Sequence, residues 1–312
     1  MFPLLLHSCT CAPGGKGAKE FSPQRFPYVK VPSMVDPEQS VDYAAANFWN
    51  SFLAMDAPTA QKDSAKIGPL PAKEVEQAMA NYVSLLSSLS LEKARAYIAA
   101  LPDALEAYGA AHKGSDVPVA LSDLVSKYLY DPNSPVRDED IYNAFAAAIQ
   151  PCTFLSQDAR TRFEREEAAS SLCPRGSSAA PFRFELPGGR RMNLYDIKAA
   201  FTILFFSNPG CGACKDIIET LKSDAVIQAG VDSGQIAVLN IYIDEDLAEW
   251  YNYMSAYPQD WYNGYDPDHI IRDDMLYNVR AIPSLYLLDE SKVVILKDCT
   301  TEKMLITLKN LL

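Results

Sequence analysis

No run of apolar residues in this 312-residue chain approaches the ~20 that a membrane-crossing helix requires. Histidine is scarce: His7, His112 and His269 stand far apart, so no imidazole cluster offers a metal centre. Seven cysteines are too few to staple a chain of this length, and their spacings form no zinc pattern. Positive charge is short as well. The 28 Lys and Arg against 40 Asp and Glu leave a net charge of −12, with no basic cluster to meet a nucleic-acid backbone. What remains is an ordinary globular composition, 48% hydrophobic and 22% charged, in a chain long enough for two domains.

The first residues, Met1-Phe-Pro-Leu-Leu-Leu-His-Ser-Cys9, resemble the end of a bacterial lipoprotein signal, with Leu6-His7-Ser8-Cys9 as an imperfect lipobox. A full signal has a basic start and an apolar core of about 7–15 residues. Here the basic start is missing, the core is short, and His7 replaces the usual small residue. The resemblance implies lipidation at Cys9 and attachment to a membrane on the periplasmic side of the cell envelope. Residues 10–32, with their Gly and Pro, have the composition of a flexible tether. Residues 1–35 are therefore read as signal remnant and tether.

Helical periodicity begins at Asp36-Pro37, an N-cap followed by a first-turn proline. Val41, Ala45, Phe48 and Phe52 then recur on one helical face. A second helix opens near Pro71, with Val75, Met79, Tyr82 and Leu86 on its apolar stripe. Ser90 caps a third, which Pro102 is expected to end or kink. Two amphipathic stretches, 116–130 and 138–149, are parted by the turn Asp131-Pro-Asn-Ser-Pro135, and a charged helix covers 156–171. Short-looped amphipathic helices make a small bundle over 36–172. Its aromatic and Met positions sit at core spacing, and it carries no carboxylate pair, His or phosphate loop suited to catalysis. The Ser/Gly/Pro-rich residues 173–181 read as a linker.

From residue 182 the period becomes that of strands. Phe182, Phe184 and Leu186 alternate with Arg183 and Glu185, and Pro187-Gly188-Gly189 turns the chain into 190–194. The run Phe201-Thr-Ile-Leu-Phe-Phe206 has the pattern of a strand buried on both faces. It breaks at Ser207-Asn-Pro-Gly210, and Cys211-Gly212-Ala213-Cys214 follows at once, opening a helix over 215–221. A second buried strand covers 236–243, and a helical segment ends near Arg280. Ala281-Ile282-Pro283 then leads into a hairpin over 284–297 and a closing helix from residue 301.

That order of elements around a CxxC and an Ile-Pro resembles the thioredoxin-like superfamily, in particular its periplasmic thiol:disulfide oxidoreductases. The likeness covers roughly residues 180–312, and the thioredoxin-like domain is read as 182–312. The helical half resembles uncharacterised modules that precede such domains in bacterial envelope proteins. The expected fold is thus a two-domain α+β chain, a helical bundle followed by a thioredoxin fold whose central mixed sheet has helices on both faces.

The resemblance implies a site. Cys211 at a helix start would be the attacking thiolate, favoured by unsatisfied N–H groups and the helix dipole. Cys214, one turn on, would resolve the mixed disulfide without any added cofactor. Gly212 and Ala213 form the active-site loop. The Ile282–Pro283 bond would be cis, its loop holding the substrate chain. The implied partners are protein thiols and disulfides and an upstream redox protein. Two positions depart from the family. Phe205 replaces the buried Asp of thioredoxins, and Ile217 the Glu frequent in periplasmic reductases. Asp216 and Glu219 are nearby candidates for the proton acceptor of Cys214.

Three further readings stay open. Cys152 and Cys173 either pair, which would stabilise the chain by ~3 kcal/mol, or remain separate thiols. The aromatic insertion over 244–268, rich in Trp and Tyr, either shapes a substrate groove or packs on the helical half. The dithiol could also be vestigial in a binding protein. A peroxidase is disfavoured, because Asn208 stands where a peroxiredoxin needs Thr.

Overall fold

A computed structural model of the chain describes residues 25–55 and 65–312. Cys9, the expected lipidation site, lies outside them. The Asp36 carboxylate accepts from Glu38 N–H at 3.0 Å, but the helix expected over 36–52 comes in pieces. A 3₁₀ turn Pro37–Gln39 precedes α1 (Ser40–Ala46) and α2 (Asn50–Leu53). Asn47 ends α1 by turning its amide onto the Tyr43 carbonyl at 2.9 Å, the kind of side-chain competition that interrupts helices. Ala45, Phe48 and Phe52 are buried as the pattern requires, whereas Val41 is 38% exposed.

A two-stranded ribbon, β1 (Lys66–Ile67) and β2 (Leu70–Pro71), leads into α3 (Ala72–Ser87) and α4 (Leu91–Ala111). Pro102 does not end α4; the helix runs through it. Ile98, Leu101 and Leu105 are all buried around it, so packing outweighs the hydrogen bond that proline removes. α5 (Val117–Val125) continues as a π turn, Ser126–Tyr130, before α6 (Glu139–Ile149) and α7 (Gln157–Ser170). Asp138 and Ser156 cap the last two through side-chain oxygens.

The described end of the expected tether and the expected linker both make specific contacts. Phe26, inside the expected tether, is buried in the helical core with its ring 5.4–5.7 Å from those of Phe48, Trp49 and Phe52. Phe26 thus packs into the helical core from ahead of Asp36. The expected linker is tied to the sheet. Gly176 N–H donates to Val294 O and Ala179 N–H to Lys292 O, both at 2.8 Å.

The seven-stranded sheet has the order β4-β3-β7-β6-β5-β8-β9. Its strands are β3 (Arg183–Glu185), β4 (Arg191–Asn193), β5 (Phe201–Phe206), β6 (Ile236–Tyr242), β7 (Tyr262–Tyr265), β8 (Ser284–Asp289) and β9 (Val294–Leu296). β5, β6 and β7 run parallel; β8 pairs antiparallel with β5, and β3 with β7. Between them lie α8 (Gly212–Ser223), α9 (Ala225–Asp232), α10 (Leu247–Tyr253) and α11 (Ile270–Asp273), and α12 (Thr301–Leu311) closes the chain. Ile203 and Phe205 face a core shared with α8, α9 and α12, while Leu204 and Phe206 face the β3–β4 hairpin and Tyr277.

The helical segment expected up to Arg280 shrinks to the four residues of α11. Of the two readings of the aromatic insertion, packing on the helical half does not hold: its Trp250, Tyr257, Trp261 and Tyr265 join the core of their own half. Trp250 of α10 is fully buried, its ring 4.9 Å from that of Tyr265, and β7 adds a strand to the sheet. Gly264 permits this: a Cβ there would stand 2.8 Å from Phe184 and 3.2 Å from the Glu185 carbonyl.

Candidate active site

β5 delivers the chain to Ser207, and Gly210, in the left-handed region at φ +70°, turns it into α8. Cys211 is the N-cap of that helix, and its sulfur accepts the backbone N–H of Cys214 at 3.1 Å. The two sulfurs form a disulfide with Cα atoms 5.2 Å apart. Cys211 is half-buried, Gly212 and Ala213 are exposed, and Cys214 is 2% exposed. Cys211 is therefore the more accessible of the pair, and Cys214 belongs to the core.

The Ile282–Pro283 bond is cis, and Ala281, Ile282 and Pro283 line a groove of about 320 Å³ together with Ala213, Asp216 and Ile217 of α8. Among the described residues, no hydrogen bond engages the backbone N–H or C=O of Ala281 and Ile282. Ala281 and Ile282 are half-buried, so their unpaired main chain is open to pair with an incoming chain. Asp216 sits on the groove, exposed; Glu219 is exposed and pairs loosely with Lys215 at 3.8 Å. On the sheet face of Phe205, the buried polar group is Asn240, its neighbour in register on β6. Asn240 accepts from Ser207 and donates to Asn263 at 3.1 Å.

The remaining described cysteines are free. Cys152 and Cys173 do not pair: 14 residues of α7, about 21 Å of helix, separate their ends of the chain. Cys152 lies in the helical core with its thiol on the Pro102 carbonyl at 3.7 Å, and Cys173 reaches the Leu276 carbonyl at 3.3 Å. Burial, with Glu106 and Asp103 nearby, pushes the Cys152 thiol up to about 11, and burial pushes Cys299 up to about 12. Both are poor nucleophiles at neutral pH.

A group of charged residues that sequence reading missed holds this loop. Glu139, at the start of α6, meets Arg280 Nε at 2.7 Å and Lys297 Nζ at 2.9 Å. Asn278 donates to the same carboxylate at 2.9 Å. Arg280 also binds Asp298 at 2.5 Å and lies over the Tyr130 ring at 4.2 Å. Asp298 in turn accepts from Ser284 Oγ at 2.8 Å, next to Pro283. Thus α6 braces the cis-proline loop from behind. The visible signal was Asp138-Glu139-Asp140 opening an apolar helix, three acids with Arg137 as the one adjacent cation.

A family model described as a domain of unknown function (DUF5106) matches residues 9–169. The chain belongs to this family. A solved thioredoxin-like protein from Bacteroides caccae is 31% identical to this DUF5106 protein over 92% of its length and 99% of the other's, with a TM-score of 0.78. The likeness spans both halves, so the helical DUF5106 region and the thioredoxin-like domain occur together in that relative. The C-terminal domain of an uncharacterised Bacteroides fragilis protein is 42% identical over 44% of this chain and 98% of its own, with a TM-score of 0.43. The thioredoxin domain of a Bacteroides vulgatus thiol-disulfide oxidoreductase is 18% identical over 44% of this chain and 97% of its own, with a TM-score of 0.39. No curated protein matches the chain in sequence.

Proposed function

We propose that this DUF5106 protein is a thiol:disulfide oxidoreductase that exchanges protein disulfides through Cys211 and Cys214. The observation that carries the reading is one arrangement: a half-exposed N-cap cysteine disulfide-linked to a buried one, beside a groove edged by unpaired main chain. In the reduced form the Cys211 thiolate attacks one sulfur of a substrate disulfide. An S–S bond forms to Cys211, the substrate S–S bond breaks, and the displaced sulfur leaves as a thiolate that takes a proton. Cys214, having lost its proton, then attacks the Cys211 sulfur. That restores the Cys211–Cys214 disulfide and releases the second substrate thiol, two electrons having passed to the substrate. The N–H of Cys214 and the open end of the helix favour the Cys211 thiolate throughout. A separate thiol protein must return the two electrons.

The test is reduction of insulin disulfides by the full chain with dithiothreitol as electron source, together with the reduction potential of the Cys211–Cys214 couple. Turnover supports an oxidoreductase, and the potential assigns its direction. A couple that forms no mixed disulfide with insulin leaves a binding protein with a vestigial dithiol.

We infer further that the protein works at the envelope, anchored through Cys9. No helix among the described residues is long and apolar enough to cross a membrane, so attachment rests on the lipobox-like Leu6-His7-Ser8-Cys9. Cells expressing the full gene should yield the protein in the membrane fraction, and Cys9→Ala should abolish acylation. Wild-type protein found wholly in the cytosol would refute anchor and compartment together.

A further inference from the structure

The groove beside the dithiol is not built by the thioredoxin-like half alone. Pro132, Asn133 and Arg137 of the helical half line it too. They belong to the turn between the π turn and α6, a segment pinned at many points. Asp131 accepts the Asn133 N–H at 2.8 Å and its side-chain amide at 3.1 Å; Ser134 Oγ donates to the Tyr128 carbonyl at 2.6 Å. Arg137 ties the turn to the other half. Its Nε donates to the Asp298 carbonyl at 2.9 Å and its Nη2 to the Cys299 carbonyl at 3.1 Å. Its remaining hydrogen bond, from Nη1, goes back to the Ser134 carbonyl at 3.3 Å.

We propose that this turn is the specificity wall of the site, and that the groove it completes takes an extended polypeptide flanking the substrate disulfide. The inference rests on the oxidoreductase reading and goes beyond it in giving the DUF5106 region a part in substrate choice. Three observations lead there. The guanidinium of Arg137 is engaged by carbonyls and paired with the Asp298 carboxylate at 3.5 Å, so the wall offers no free cation to an anionic small molecule. The main chain of Ala281 and Ile282 on the groove is unpaired, and an extended peptide recognises such an edge by strand-like pairing. The wall is held by hydrogen bonds before any ligand arrives, which lowers the ordering cost of binding. A small disulfide reaches Cys211 without meeting residues 132–137. A polypeptide lying in the groove meets them.

Asn133 is the residue to change. It is exposed, and its substitution leaves the Arg137 anchors in place. Asn133→Trp and Asn133→Ala, in the full chain, are compared with wild type on two oxidants, insulin and 5,5′-dithiobis(2-nitrobenzoate). The bulky Trp should lower kcat/KM for insulin at least about fivefold more than for the small disulfide, with the loss in KM. Asn133→Ala should keep the ratio of the two within about twofold of wild type. An unchanged ratio in Asn133→Trp, with both substrates still turned over, overturns the wall and leaves the oxidoreductase standing. A wild-type protein that turns over neither substrate overturns the oxidoreductase reading, and the wall with it.

Discussion

In the Cys211→Ser protein, insulin reduction is expected to fall by at least about a hundredfold, because serine cannot supply the sulfur that attacks. Cys214→Ser should behave differently. Its Cys211 can still attack, but nothing resolves the product, so a mixed disulfide between Cys211 and the substrate accumulates and turnover stops after one event. The asymmetry follows from position. Cys211 caps α8 and is half-exposed, while Cys214 is 2% exposed behind it. The two remaining buried thiols cannot take over: burial holds Cys152 at about 11 and Cys299 at about 12, so at about pH 7 their thiolate fractions are roughly a ten-thousandth or less. The check is a pair of measurements, steady-state turnover and mass spectrometry of the trapped species after iodoacetamide quenching. Trapping through Cys214 in a Cys211→Ser protein would reverse the assignment.

What the amino-acid order made legible was local. β5 shows itself because five of its six residues are fully buried and apolar or nearly so, and the Gly210 turn announces where it stops. α8 could be placed because its cap, Cys211, is also the first residue of the motif. The helices of the first half were visible in their stripes. The errors have a common origin in partners distant along the chain. β7, Tyr-Asn-Gly-Tyr, has no alternating pattern of its own; it is a strand because β6 and β3 pair with it on either side. Residues 173–181 have a linker's composition, yet β9 offers them hydrogen bonds more than a hundred residues away. Pro102 carries a helix breaker's chemistry inside a helix that tertiary packing holds. The groove itself was half legible: the Ile-Pro and the dithiol were found, while the wall from residues 132–137 and the brace from α6 join positions that only the folded chain brings together.

That brace supplies the second large effect. Glu139→Ala should lower stability by about 3–5 kcal/mol, since it leaves Arg280 and Lys297 as buried cations without their shared anion. The side chains of Glu139 and Lys297 are each 1% exposed, so water cannot replace the lost carboxylate. Lys297 keeps the Ser170 and Leu172 carbonyls at 2.7 and 2.5 Å, and Arg280 keeps Asp298, which places the loss within that range and not beyond it. For a chain of this size the drop corresponds to roughly 10 °C in Tm, readable by calorimetry. The same variant should also lose exchange activity at temperatures where it remains folded. Arg280 stands three residues before Pro283, and without Glu139 the loop loses its tie to α6. Replacing Glu139 and Lys297 together by Met separates charge from packing: removing both ions spares the penalty of an unpaired one, so the double variant should recover part of the stability lost in Glu139→Ala. Activity should not return with it, because Arg280, though still on Asp298, has lost its tie to α6 through Glu139. A Glu139→Ala protein melting within about 2 °C of wild type would show that the buried ions are held by the remaining groups and that α6 does not brace the site.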